Sequence, residues 1–193
     1  MYRDKDIPLP KYYTEKEAIT TPKLPAYVLH ANDRQDIYDF VDNEQDLRER
    51  IIRNMQAVTG IDVLLGNLRQ TLKDRNLDKN TIIIFTSDHG IFWGENGLGG
   101  KALCYEVCTR VPMIIYDPNA SKKSRGITSD QLVQTIDLAP TMLSYASVPI
   151  PASYQGKPLN DIINGNDIPV RDVLFTENLW STHFGNPRCE AVQ

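Results

Sequence analysis

The run Thr81-Ile82-Ile83-Ile84-Phe85-Thr86 is β-branched and apolar without alternation, and it stops on Ser87-Asp88-His89-Gly90. An unalternating apolar run of this length reads as a strand covered on both faces, the habit of parallel sheets. Val111-Pro112-Met113-Ile114-Ile115-Tyr116, closed by Asp117-Pro118, repeats the pattern as a second buried-type strand. Leu132-Val133-Gln134 and Val173-Leu174-Phe175-Thr176 are shorter strand candidates. Upstream, Ile51, Ile52, Met55, Val58, Ile61, Leu64, Leu65, Leu68 and Leu72 recur at three- and four-residue steps. That spacing predicts a long helix over 44–75, with Asp42 or Asn43 at its start. Asp137 reads as the N-cap of a second helix at about 138–146, with Pro140 tolerated in its first turn. Strands alternating with helices imply an α/β fold, a mostly parallel sheet flanked by helices.

Charge and hydropathy remove several functions. Lys and Arg number 21 against 25 Asp and Glu, a net charge of -4, and no basic block supplies a footprint for nucleic acid. No apolar run approaches the roughly 18–20 residues of a membrane helix, so no membrane span is expected. The charged opening Met1-Tyr2-Arg3-Asp4-Lys5-Asp6 lacks the apolar core of a secretory signal. Residues 1–43 carry Pro8, Pro10, Pro22 and Pro25 without periodicity and read as an extended leader. Three cysteines, Cys104, Cys108 and Cys189, give neither a disulfide framework nor a zinc site. Cys104 and Cys108 share a helical face at i,i+4 and are expected to pack as small apolar groups. Glu106 and Arg110 have the spacing of an ordinary ion pair.

In open α/β sheets, ligands bind beyond the carboxyl ends of the strands. Asp88 and His89 stand there, followed by a glycine-rich loop (Gly90, Gly94, Gly97, Gly99, Gly100) that delivers Lys101. Asp suits a hard divalent ion and His is a softer ligand. The lysine is a compact cation able to meet an anionic group. Taken alone, an Asp-His-Gly triplet after a strand is more often turn chemistry than a metal site.

The wider segment Asn80–Pro118, NTIIIFTSDHGIFWGENGLGGKALCYEVCTRVPMIIYDP, resembles the sulfatases of the alkaline-phosphatase superfamily. Their equivalent stretch runs strand, Ser-Asp-(Asn/His)-Gly, Gly-Glu-His-Gly-Leu, Gly-Lys, Tyr-Glu, Arg-Val-Pro, strand. Asp137-Leu138-Ala139-Pro140-Thr141 and Gln155-Gly156-Lys157-Pro158-Leu159 are similar to two later family motifs, with Pro158 replacing a serine. The resemblance implies an alkaline-phosphatase-like partial domain: 44–180 as the carboxyl-side part of a catalytic domain and 181–193 as the start of a smaller one. It implies Asp88 and His89 as ligands of a divalent cation, usually calcium, and Lys101 as the contact to the substrate's sulfate. His183, in a loop after the last strand, is a weaker substrate-binding candidate.

Two departures stand out. Asn96 occupies the position of the imidazole in Gly-Glu-His-Gly, and no Cys/Ser-x-Pro-x-Arg, the source of the family's formylglycine nucleophile, occurs in the 193 residues. The resemblance therefore implies a carboxyl-side fragment of a sulfatase acting on sulfate esters, chiefly of carbohydrates, and inactive by itself. Family membership implies a periplasmic, secreted or lysosomal setting, and bare strand edges would favour self-association. A phosphodiesterase or phosphonate hydrolase of the same superfamily, and a non-catalytic binding protein on this scaffold, are the alternatives.

Overall fold

A computed structural model of the chain describes residues 2–3, 7–10, 44–101, 103–166, 168–179 and 188–193. The leader expected over 1–43 lies outside them apart from residues 2–3 and 7–10. The chain forms two compact units that interleave along the sequence: 1–71, 89–111 and 177–190 in one; 72–88, 112–176 and 191–193 in the other.

The first unit is organised by helix α1, Glu44–Asp74, which carries Glu44 and Asp46 in its first turn and Lys73 in its last, matching the helix dipole. Its boundaries agree with the predicted 44–75; Asp42 and Asn43, the expected caps, lie outside the described residues. Among the described residues, full burial on this helix is confined to Leu47 and Ile52 near its amino end, while Leu64 is 66% exposed. Arg48 holds the chain's opening against this end, donating to the carbonyl oxygen of Ile7 and to Glu44 Oε1 at 2.8 Å. One hydrogen bond of 2.9 Å joins Tyr2 Oη to Thr59 Oγ1. A small antiparallel hairpin follows, β2 (Phe92–Trp93) against β3 (Gly99–Gly100). Gly94 and Asn96 turn it with positive φ, 106° and 57°, a conformation that glycine and asparagine tolerate best. Phe92, Leu98, Leu103 and Cys108 form the buried cluster of this unit, and Tyr105 meets Phe92 edge-on at 5.7 Å. Cys108 packs as a small apolar group, as expected. Cys104 does not share its helical face, because the short helix α2 begins only at Glu106 (Glu106–Thr109). Glu106 and Arg110 form the expected pair at 2.7 Å.

In the second unit, β1 (Ile83–Thr86) pairs with β4 (Met113–Tyr116) in register from Ile83↔Tyr116 to Thr86↔Met113. The pair is antiparallel, not parallel as the unalternating runs suggested. A parallel return needs a crossover, usually a helix of a dozen residues; the intervening chain folds instead as the hairpin and a single helical turn. Nor is β4 of the doubly buried type: its burial alternates, with Ile114 61% and Tyr116 46% exposed. Leu132–Gln134 is not a strand. It leads through a 3-10 turn, Thr135–Asp137, into α3 (Leu138–Tyr145). Tyr145 donates to Asp117 Oδ2 at 3.2 Å, and burial together with that carboxylate pushes its hydroxyl up to about 12. After a short helix α4 (Asn160–Ile163), β5 (Phe175–Asn178) begins two residues later than expected and pairs with β6 (Cys189–Val192); residues 175–176 and 191–192 of these strands belong to this unit and the rest to the first.

Asp137 is the centre of this unit, and it does not cap α3. Its own backbone is right-handed helical, φ -78° and ψ -16°, so its side chain is not placed to cap the first turn of α3. The fully buried carboxylate instead accepts from the backbone N–H of Gln134 (2.7 Å) and Lys157 (2.8 Å) and from both Arg171 nitrogens (2.6 and 2.5 Å). One turn on, Thr141 accepts from the Leu159 N–H at 2.9 Å and donates to the Asp137 carbonyl. Between these bonds Gly156 passes so close to the Ile136 carbonyl that any Cβ would collide with it. The two later sequence motifs are thus halves of one buried clamp.

Burial acts to raise the Asp137 carboxyl, but Arg171 and the two backbone donors outweigh it and hold it below the usual carboxylate range. Arg171→Ala leaves an uncompensated buried charge and is expected to cost about 3–5 kcal/mol in urea unfolding at pH 7. Because the folded-state value is depressed, this stabilisation is present above the unfolded carboxylate value near 4 and is lost as pH falls through the folded one. Asp137→Asn should therefore flatten the acid limb of the stability curve; an unchanged limb would refute the assignment.

Candidate functional site

Asp88 and His89 are consecutive in the chain just past the carboxyl end of β1, the second unit closing on the former and the first resuming with the latter. Asp88 is exposed, with Ser87 Oγ 3.4 Å from its Oδ1. His89 is half-buried. Its Nδ1 lies 3.0 Å from the Gly90 carbonyl oxygen and its Nε2 lies 2.7 Å from Lys101 Nζ. These two contacts choose one tautomer. An ammonium group only donates, and so does not meet an N–H; Nε2 must offer its lone pair, and the proton sits on Nδ1, donated to Gly90.

The loop around the ring is pinned from below. Gly90 N–H donates to the Cys108 carbonyl at 2.8 Å, and a Cβ on Gly90 would strike the Val107 carbonyl oxygen. Trp93 N–H donates to Glu95 Oε2 at 2.6 Å, and Gly94 N–H to the Leu98 carbonyl at 3.0 Å, which closes the hairpin. Lys101 leaves β3 directly after Gly100, whose φ of 73° suits glycine. The glycine loop therefore serves as a fixed bracket that returns the lysine to the histidine twelve residues earlier.

Of the sequence-predicted residues, the structure brings His89 and Lys101 into contact and leaves Asp88 exposed beside His89 in the chain. His183 lies outside the described residues. Among the described residues no group of three or more His, Cys, Asp or Glu is arranged to hold a metal ion. The donor chemistry of His89 nevertheless suits one. Metal-bound histidines almost always donate their second ring N–H to a carbonyl, carboxylate or water, which Nδ1 already does. The anchoring of Gly90 on Cys108 had no signal in the sequence. The approach of Cys189 to Cys104, 3.0 Å between sulfurs, had none either.

Residues 8–148 match the family described as Sulfatase, and the chain belongs to it. It is 31% identical over 192 residues to an arylsulfatase of Clostridium perfringens, covering 95% of this chain and 38% of that protein. An N-acetylglucosamine-6-O-sulfatase of Bacteroides thetaiotaomicron is 38% identical over 109 residues, 56% of this chain and 19% of the relative. The chain thus spans well under half the length of the curated relatives it matches. Among solved structures, a phosphonate monoester hydrolase from Silicibacter pomeroyi superposes with a TM-score of 0.77 at 22% identity, over 96% of this chain and 39% of its own. The fold is the alkaline-phosphatase-like α/β domain of sulfatases and phosphonate hydrolases, of which this chain holds a part.

Gly90→Ala is expected to push the loop off Val107 and break the bond to Cys108. The predicted signature is a loss of about 1–3 kcal/mol with faster hydrogen exchange at the residue-90 amide. Exchange as slow as in the parent chain would contradict the pinned loop.

Proposed function

We propose that this chain carries the cation-binding and sulfate-binding side of a sulfatase active centre that hydrolyses a sulfate ester of a carbohydrate. The observation that carries the proposal is the Nε2 lone pair of His89, held in place by the Nδ1–Gly90 bond, with the Lys101 ammonium 2.7 Å away. Family membership and the N-acetylglucosamine-6-O-sulfatase relative support the substrate class. Asp88 and His89 would hold a divalent cation, calcium in the family resemblance. The cation and a formylglycine supply charge stabilisation and the attacking oxygen when present. No Cys/Ser-x-Pro-x-Arg occurs in the 193 residues, so no residue here is assigned to the nucleophile.

What these residues do is electrostatic. His89 offers a ring nitrogen already oriented, so little reorganisation accompanies ligation. With Nε2 serving as a ligand, Lys101 would lose that partner, and its ammonium would be available to the sulfate oxygens. Charge gathers on those oxygens as the ester bond breaks, so a cation fixed beside them favours the transition state. The hairpin that carries Lys101 sets its reach. An exported or lysosomal setting, expected of the family, belongs to this same proposal.

In the full-length protein that contains this segment, Lys101→Ala and Asp88→Asn should each lower kcat/KM for a glucosamine 6-sulfate by about 10²–10³-fold. The 193-residue chain alone should show no turnover of an aryl sulfate. Wild-type rates in both variants, or turnover by the chain alone, would reject the assignment.

A further inference from the structure

We propose that Cys104 and Cys189 close into an intrachain disulfide that ties the Lys101-bearing loop to the last strand. The two residues are 85 apart in sequence, yet their sulfurs lie 3.0 Å from each other. Carbon atoms pack at about 3.5–4.0 Å, and sulfur is larger. Cys104 Sγ also lies 3.5 Å from the carbonyl oxygen of Cys189, so the thiol is lodged against the first residue of β6. Both cysteines belong to the same compact unit and both are half-buried. Cys104 stands three residues after Lys101 and immediately before the segment that Tyr105 anchors on Phe92. A bond here joins the candidate sulfate contact to the far end of the chain.

The third cysteine sharpens the choice. Sequence proximity favours Cys104 with Cys108, since short loops close most readily. The fold gives Cys108 other neighbours: it is 4% exposed inside the cluster of Phe92, Leu98 and Leu103. Only the folded chain selects Cys189.

The bond forms by thiol–disulfide exchange with a low-molecular-weight disulfide, the oxidant class of an oxidising compartment. Cys189, as thiolate, attacks one sulfur of the small disulfide; that S–S bond breaks and one small thiolate leaves. Cys104 then attacks the mixed disulfide at Cys189, forms the intrachain bond and expels the second small thiolate. Both cysteine protons pass to water or to the departing thiolates, so two thiols of the chain are oxidised and one disulfide becomes two small thiols. The order follows from the environment. Burial pushes the Cys104 thiol up, and its hydrogen bond and charge interaction with Cys189 add to that, to about 12 in all. Conversion of Cys189 to a mixed disulfide removes the latter two contributions and prepares Cys104 for the second step. None of this depends on the sulfatase reading.

The test uses the full chain with oxidised glutathione at pH 8, followed by alkylation and peptide mass spectrometry. The expected product is a linked peptide pair containing Cys104 and Cys189, with Cys108 alkylated only after denaturation. The same oxidation in guanidinium should shift the pairing towards Cys104–Cys108. Cys108→Ala should keep the native link, Cys189→Ser should abolish it, and oxidation should raise Tm by about 5–10 °C in the parent but not in Cys189→Ser. A native-state product dominated by Cys104–Cys108, by intermolecular dimers or by unreacted thiols would overturn the proposal.

Discussion

A single carboxylate, that of Asp137, determines how the second unit is built. A buried charge is tolerated only when its lone pairs are filled, and here four donors from three separated stretches of chain do so. Gln134, Lys157 and Arg171 are brought to one point by that requirement. Thr141 extends the arrangement by one helical turn to Leu159. The turn at Gly156 must be free of a side chain because the clamp draws it onto the Ile136 carbonyl. What looked in the sequence like two short motifs is one electrostatic knot.

The candidate site obeys a different rule, the complementarity of donors and acceptors around an imidazole. Lys101 contributes only protons and Gly90 only a lone pair, so the ring between them has no freedom of tautomer. The glycine hairpin provides the geometry: its backbone bonds fix Phe92 and Leu98 in the core, and the lysine emerges where the hairpin ends. Chemistry and packing are therefore carried by the same dozen residues. The order of events proposed for Lys101, first on His89 and then on sulfate, follows from one lone pair being unable to serve two partners.

Much of this was legible in the residues. The three- and four-residue spacing from Ile51 to Leu72 located α1 to within a residue, because helical periodicity is a local property. The run ending in Asp88-His89 located β1 and the polar groups beyond it, and the flanking motifs identified the sulfatase family. Strand direction was not legible: Val111–Tyr116 looks the same whether it runs with or against β1, and only the absence of a crossover helix decides. Its exposed alternate face was hidden for the same reason, since apolar residues record what a strand can cover and not what lies beside it. Asp137 misled because an aspartate before a helix usually caps it; its true partner, Arg171, is 34 residues away. Cys189 carried no local signal at all.

Asn96 shows how such a site can vary. Its backbone sits at φ 57°, a region where asparagine, aspartate and histidine are several-fold enriched and glycine is at ease, while branched side chains are nearly excluded. The tight turn between β2 and β3 thus acts as a filter on the alphabet at this position. Asparagine and histidine can exchange there with the same hydrogen-bonded hairpin beneath them, and the direction in which the side chain leaves the backbone stays constant. The loop offers a fixed socket whose chemical tip is replaceable, so a change of residue at this position need not begin with a change in how the turn folds.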